Sequence, residues 1–277
     1  MKVLRTVTAV REWRASAGAV GLVPTRGALH AGHAALVDRA IRQNEAAIVS
    51  IVADEDPDLR SSSEQADLAL LEAHGAAAAF IPAREDLHPA HGTHVTPGTL
   101  AEPLEGAARP GHLVAVATRI VQLLGIVAPD LAYCGQKDFQ ELRVIQALAR
   151  DLRLATRIIG CPTVRDPSGL ALSSRNVALT EAQRTNASAL SRGLMEAEHA
   201  FEAGETDADD LRSLVRSELE IWGLAAEYVS CADPVTLQEL SGPVERAVVS
   251  LAAQIGTVRL IDNALLGIRL QDLDELQ

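Results

Sequence analysis

Two periods of apolar and polar residues alternate along the chain. Ala19 to Val23 is an apolar run that reads as a short buried strand, and Ala34 to Ile41 behind it carries helical spacing. Ala46 to Val52 reads as a second buried strand. An acidic, proline-broken loop follows from Ala53 to Asp58. Ser61 to Ser63 then precede Glu64, the arrangement that caps a helix, here running through His74. Gly75 ends that helix and Ala76 to Ile81 reads as a third strand. Such strand–helix alternation predicts a parallel sheet. Residues 82 to 111 are irregular, and the stretch from Leu104 opens a long helix to Gly125, with Pro110 suited to a first turn. Leu131 to Cys134 reads as a strand, Phe139 to Leu152 as a strongly periodic helix, and Arg157 to Cys161 as another strand. From Thr180 the character changes. Helices from Thr180 to about Ala203 and from about Asp207 to Trp222 precede strands at Glu227–Ser230, Ala247–Leu251 and Thr257–Asp262. The pattern predicts an α/β domain over 1–178 and a smaller α+β domain over 179–277.

Candidate chemistry sits at the strand-to-helix junctions. The first reads Leu22-Val23-Pro24-Thr25-Arg26-Gly27-Ala28-Leu29-His30-Ala31-Gly32-His33. In an open α/β sheet this junction lies at the carboxyl end of a strand, where ligands bind. A helix start offers backbone N–H groups and a positive dipole end, which suit phosphate. Gly27 and Gly32 allow close approach of the backbone to a ligand. His30 and His33, three apart, share a face of the first turn. They can donate to negative charge that grows during phosphoryl or nucleotidyl transfer. The same residues also suit plain turn and capping roles.

Composition sharpens this in one respect. Of 25 basic residues only Lys2 and Lys137 are lysines. A lone interior lysine in an arginine-using chain suggests a site that wants a compact ammonium, as at a phosphate. Lys137 stands at another strand-to-helix junction, Gly135-Gln136-Lys137-Asp138. Asp138 could accept from a ribose hydroxyl or cap the helix. Ser173-Ser174-Arg175-Asn176 presents hydroxyls, a planar cation and an amide together, which would clamp phosphate. Arg109 and His112 also fall at a helix start.

Other classes are disfavoured. The formal charge is −12, which argues against a nucleic-acid partner. Cys134, Cys161 and Cys231 are odd in number and far apart, so neither a zinc site nor a disulfide framework follows, and a reducing cytoplasm is the expected setting. Met1-Lys2-Val3-Leu4-Arg5 lacks the apolar core of a signal peptide. No apolar run is long enough to span a bilayer. His88, His91 and His94 share a loop without an acidic or cysteine partner at metal-binding spacing. With 48% hydrophobic but 3% aromatic residues, the core must be Ala, Leu, Val and Ile.

Five blocks together carry a resemblance. They are Pro24-Thr25-x-Gly27-Ala28-Leu29-His30-x-Gly32-His33, Leu104-Glu105-Gly106-x-x-Arg109-Pro110-x-His112, Gly135-x-Lys137-Asp138-Phe139-Gln140, Pro162-Thr163-Val164-Arg165 and Gly169-Leu170-Ala171-Leu172-Ser173-Ser174-Arg175-Asn176. In order and spacing the chain resembles the pantothenate synthetase (pantoate–β-alanine ligase) family along nearly its whole length. The resemblance implies a Rossmann-like nucleotidyltransferase domain with a small C-terminal domain, and a homodimer. It implies ATP and Mg²⁺, small-molecule acid and amine substrates, and amide formation through an acyl-adenylate with release of pyrophosphate and AMP. By similarity His30 and His33 contact the ATP phosphates and Gly32 lies beneath the adenine. Lys137, Ser173, Ser174 and Arg175 hold the triphosphate. Gly135 and Asp138 meet the ribose, Val164 and Leu172 lie near the base, and Asp67 matches a position linked to Mg²⁺. Pro24, Thr25, Arg26, Asp54 and Glu141 match positions on the acid-substrate side.

The departures cluster on that acid side. The family's Asn-Pro-x-Gln-Phe after the second strand reads Asp54-Glu55-Asp56-Pro57-Asp58 here. Arg26 replaces the usual Met, and Glu141 replaces a Gln that reaches pantoate. Carboxylates accept only, where amides both donate and accept. Two expectations therefore stand side by side. One is a divergent but ordinary pantoate ligase. The other is an intact adenylating machinery with a different acid, one that carries an amine or extra donors. A nucleotidyltransferase that stops at its nucleotidyl product is a further alternative, separable by amine-dependent AMP release. A silent scaffold fits poorly with both histidines, Lys137 and Ser-Ser-Arg in place. A tRNA synthetase fits poorly with the acidic charge and the lack of a basic appended domain.

Overall fold

The computed structural model describes residues 1–52, 64–87 and 92–276. One sheet is parallel and contains β1 (Lys2–Leu4), β2 (Val20–Thr25), β3 (Ala46–Ile51), β4 (Ala78–Phe80), β5 (Leu131–Gly135) and β6 (Arg157–Cys161). Its order is β1-β4-β3-β2-β5-β6. The intervening helices are α1 (Val7–Ala15), α2 (Ala31–Gln43), α3 (Glu64–Ala73), α4 (Arg84–Leu87), α5 (Glu105–Ala108), α6 (His112–Val127) and α7 (Phe139–Asp151). After them come α8 (Glu181–Glu202), α9 (Ala208–Ile221) and an antiparallel sheet of β7 (Ala226–Ala232), β8 (Ala247–Ile255) and β9 (Val258–Leu266), in that order.

By contact the chain divides into two compact units. The first holds Met1–Ala101, Arg109–Gly135 and Glu141–Cys161; the second holds Glu102–Ala108, Gln136–Gln140 and the chain from Pro162 onward. In the first unit Val20, Leu22 and Val23 are fully buried, as a parallel strand covered on both faces requires. Strand order reverses between β2 and β5. There β2 pairs with β3 over its whole length, Val20 to Thr25, but with β5 only at Gly21 and Leu22. Pro24, which has no N–H to give, stands beyond the end of the β5 ladder. The carboxyl ends of β2 and β5 thus mark the switch point at which open α/β sheets bind ligands.

In the second unit α8 and α9 contribute Leu190, Leu194, Leu211, Val215 and Leu219 to one apolar cluster with Val249, Leu251 and Leu260 of the antiparallel sheet. Helix α8 starts where Thr180 predicts. The Thr180 hydroxyl accepts from the Gln183 N–H, and the Gln183 side chain accepts from the Thr180 N–H.

Elements differ from the sequence reading in several places, among them the short helix α4 inside the stretch read as irregular. Strand β1 and helix α1 were not anticipated. The strand is only three residues long, but α1 has a legible start, since Thr6 caps it by accepting from the Ala9 N–H. The single helix expected from Leu104 to Gly125 is two. Arg109 precedes Pro110, which disfavours a helical Arg109, and Gly111 takes φ 85° before α6 opens at His112. Helix α6 also runs through Gly125 to Val127 and stops at Ala128, in the left-handed region, with Pro129 behind it. Among the described residues no helix is long and apolar enough to cross a membrane.

All three cysteines are buried and unbridged. Burial pushes the Cys231 thiol up to about 11 and raises that of Cys161. The native protein is expected to give negligible fast reaction with a disulfide reagent at pH 7.5, and three thiols after denaturation in guanidinium. Rapid native titration of Cys231 would contradict the packing of β7.

Candidate active site

The loop after β2 is fixed by a buried carboxylate. Asp67 of α3 is 4% exposed, and its two oxygens accept from the N–H groups of Ala28 (3.0 Å) and Leu29 (2.8 Å). Gly27 beside it takes φ +87°, and a Cβ there would lie 3.2 Å from Asp67 Oδ2 and 3.3 Å from Ile51 Cγ2. Only glycine meets both conditions without strain. The Thr25 hydroxyl donates to the Ser50 carbonyl of β3 (2.7 Å) and accepts from the Gly27 N–H (3.4 Å), so it ties the loop to the sheet. Pro24 and Arg26 are half-buried beside it.

This fixed loop delivers His30 and His33 to the start of α2. His30 is the N-cap, and its Nδ1 accepts from the Gly32 N–H at 3.1 Å. His33 Nδ1 in turn accepts from the His30 N–H at 3.3 Å. An Nδ1 that accepts carries no proton, so each neutral ring holds its proton on Nε2. The rings lie 4.0 Å apart between centroids, tilted by 43°. Helix capping thereby sets both tautomers as Nε2–H donors, which is the form that can hydrogen-bond a phosphate oxygen.

Glu141, also in the first unit, meets a partner of its own. His112 Nε2 lies 2.8 Å from Glu141 Oε1, and Arg109 Nη1 lies 3.3 Å from the same His112 nitrogen. The pair is largely buried, with side-chain exposures of 11% and 22%.

In the second unit Lys137 sits in a 3-10 turn, Gln136–Asp138, that follows Gly135 at the end of β5. Its Nζ lies 3.5 Å from Asp138 Oδ1, and its side chain is 14% exposed. Val164 and Leu172 face one another across a hairpin, where the Leu172 N–H donates to the Val164 carbonyl (2.9 Å) and Arg165 bridges Ala171. Ser173 caps a second 3-10 turn, Ser174–Ala178, by accepting from the Arg175 N–H at 3.3 Å. Asn176 is buried and donates to the Ala171 carbonyl at 3.0 Å, which makes it structural.

The sequence reading missed the second-unit groups that hold these segments. Arg165 makes a two-pronged ion pair with Asp262 of β9, whose side chain is 2% exposed. Asn263 beside it donates to the Gln136 and Lys137 carbonyls, each at 2.9 Å. Glu105 is 5% exposed and is held by Arg259 through two hydrogen bonds and by the Tyr228 hydroxyl. Burial raises the Tyr228 pKa far above the ordinary phenol range, and Glu105 adds to the rise. For Arg259 burial opposes the charge, but the carboxylates of Glu105 and Glu227 outweigh it and raise the pKa. A signal was present: Asp262-Asn263 is a polar pair inside a strand whose other residues, Arg259 apart, are apolar.

Asp54, Pro57, His88, His91 and the expected cap at Ser61–Ser63 lie outside the described residues. Among the described residues no group of three His, Cys, Asp or Glu is placed to hold a metal ion.

Loss of the Asp67 carboxylate leaves two loop N–H groups short of an acceptor. Asp67→Ala is expected to cost about 1–3 kcal/mol in urea unfolding. A variant as stable as the wild type would show that the loop is held by other contacts.

The family model described as pantoate-beta-alanine ligase matches residues 2–265. The pantothenate synthetase of Roseiflexus castenholzii is 45% identical over 276 residues, covering 96% of this chain and 99% of its own. That of Chloroflexus aurantiacus is 46% identical over 276 residues, covering 96% and 98%. Among solved structures, pantothenate synthetase from Thermus thermophilus has a TM-score of 0.88 at 35% identity, covering 95% of this chain and 99% of that one. A pantoate-beta-alanine ligase from Francisella tularensis, complexed with beta-gamma ATP and beta-alanine, has a TM-score of 0.79 at 32% identity, covering 96% and 97%. With blocks, fold and whole-length similarity in agreement, this chain belongs to the pantoate-beta-alanine ligase family.

Proposed function

We propose that this protein joins pantoate to β-alanine at the expense of ATP. A pantoate carboxylate oxygen attacks the α-phosphorus and the bond to pyrophosphate breaks, which gives an acyl-adenylate. The β-alanine amine then attacks the acyl carbon. AMP leaves with the bonding electrons, the amine loses a proton and the amide remains. No protein nucleophile is required, so the protein's task is positioning and charge stabilisation.

The observation that carries this reading is the His30–His33 pair at the carboxyl end of β2, with both Nδ1 atoms committed to backbone N–H groups. The Nε2–H groups donate to phosphate oxygens as charge moves onto them. Gly32 lies beneath the adenine. Lys137, Ser173, Ser174 and Arg175 hold the triphosphate, Gly135 and Asp138 meet the ribose, and Val164 and Leu172 flank the base. Pro24, Thr25, Arg26, Asp54 and Glu141 form the acid side.

A Mg²⁺ ion fits this donor set only on limited terms. Asp67 already accepts a backbone N–H group on each oxygen, so it is not a carboxylate reserved for a cation. Such an ion would ride chiefly on the triphosphate oxygens, which is common for Mg²⁺. It would supply charge neutralisation there. A cytoplasmic homodimer completes the proposal.

A different acid was the competing expectation. Glu141 has one oxygen engaged by His112 and the other able to accept, which suits a hydroxyl of the acid. Together with 45% identity over nearly the whole chain, this favours pantoate.

The test is pyrophosphate release from ATP and pantoate, followed by amide formation on adding β-alanine. His30→Asn separates two roles, because asparagine is a good N-cap but cannot supply the Nε2–H. It is expected to keep the wild-type Tm and lose about 100-fold in adenylation rate. A wild type that releases pyrophosphate with some other acid and not with pantoate would overturn the substrate assignment.

A further inference from the structure

Every polar atom of the Asn263 side chain is turned to one purpose. Asn263 is 3% exposed in the middle of β9. Its Nδ2 donates to the carbonyls of Gln136 and Lys137, both at 2.9 Å, and its Oδ1 accepts from Gln136 Nε2 at 3.4 Å. Two carbonyls can only accept, so the atom between them must be the amide nitrogen. No other side chain of this size offers two N–H donors and an acceptor in that arrangement. Asparagine is a poor strand former, and β-branched or apolar residues fill most of the neighbouring positions. Its backbone is also fixed, since the Asn263 N–H donates to Asp262 Oδ1 at 2.9 Å while that carboxylate grips Arg165.

We propose that Asn263 is a positioning residue for the adenylation step, acting through Lys137. The 3-10 turn Gln136–Asp138 runs straight into α7, and 3-10 geometry makes weaker internal hydrogen bonds than an α-helix. Asn263 adds a donor to two of its carbonyls, and so sets where the Lys137 side chain leaves the backbone. The same strand holds the Val164–Leu172 hairpin through Asp262 and Arg165. One polar dipeptide therefore keeps two ATP-contacting segments in a fixed relation inside the second unit. The acyl-adenylate keeps the adenosine and one phosphate but has lost pyrophosphate before the amine attacks, so Asn263, acting through Lys137, matters more for the first half-reaction than for the second. This inference rests on the ligase reading above.

The experiment compares wild type, Asn263→Asp, Asn263→Ser, Lys137→Ala and the double variant Asn263→Asp with Lys137→Ala. Pyrophosphate release is measured against ATP concentration with saturating pantoate, and amide formation is measured separately from β-alanine and synthetic pantoyl adenylate. Asn263→Asp puts a carboxylate oxygen against two carbonyls. It is expected to raise the KM for ATP and slow adenylation by about 10- to 100-fold, with a clearly smaller loss in the amine step. Asn263→Ser, which keeps one donor, should recover part of the loss. The double variant should be no slower than Lys137→Ala alone, because both act on one group. Ser250→Ala, across the ladder from Asn263, controls for damage to the sheet and should leave the ATP dependence alone. Wild-type ATP kinetics in Asn263→Asp, equal slowing of the amine step, or additive loss in the double variant would each overturn the proposal. So would loss of fold in both Asn263 variants, which would assign the residue to sheet stability. A wild type that does not adenylate pantoate would instead sink the ligase reading.

Discussion

The first turn of an α-helix leaves backbone N–H groups without partners inside the helix, and this chain answers that demand with imidazole. His30 Nδ1 takes the Gly32 N–H and His33 Nδ1 takes the His30 N–H. A serine or aspartate cap would satisfy the same donors. The ring does something those caps cannot, because accepting on one nitrogen forces the proton to the other. Capping and presentation of a donor become one arrangement. Its geometry depends on the loop before it, which Asp67 holds by two backbone N–H groups and which only glycine at position 27 can follow. Asp67 thus acts on the histidines from a distance, through the backbone.

The second unit solves a related problem with β9. Short turns and hairpins carry few internal hydrogen bonds, and loops positioned on a rigid scaffold are where binding residues concentrate. Asp262 and Asn263 give the scaffold's strand two polar hands, one charged and one amide. Glu105, Arg259 and Tyr228 form a second buried network in the same unit, and Gln140 joins it by accepting from the Glu105 N–H. Buried ion pairs of this kind cost desolvation and stabilise little relative to apolar packing, while breaking one partner is expensive. Their value here is placement of particular segments.

Local chemistry made much of this legible. The apolar run at Ala19–Val23 and the glycine–histidine string behind it predict β2 and the head of α2, because burial and capping both act within a few residues. The same holds for Thr180 and Gln183 at α8. Where sequence reasoning failed, the cause was distance. The Asn263 side chain meets a carbonyl 126 residues earlier in the chain, and Arg259 meets Glu105 across 154. No periodicity encodes such pairs; the visible trace is only Arg259 and the Asp262-Asn263 dipeptide in an otherwise apolar strand. The split between α5 and α6 is a different case. It was written in Arg109-Pro110-Gly111, where proline constrains the residue before it and glycine accepts a left-handed turn.

Position 141 shows how a departure can look larger in sequence than it is in space. Glutamine offers a donor and an acceptor, and glutamate offers acceptors alone. Read by itself, the change suggests a pocket rebuilt for a substrate with more donors. In the structure Oε1 already faces His112, which Arg109 flanks in turn. The exchange therefore adds a carboxylate beside a ring nitrogen that can donate to it, and the second oxygen still accepts. What is lost is one N–H donor, not the hydrogen-bonding character of the position. Under the proposed reaction the acid need only present a hydroxyl there instead of an acceptor, and pantoate has hydroxyls to present.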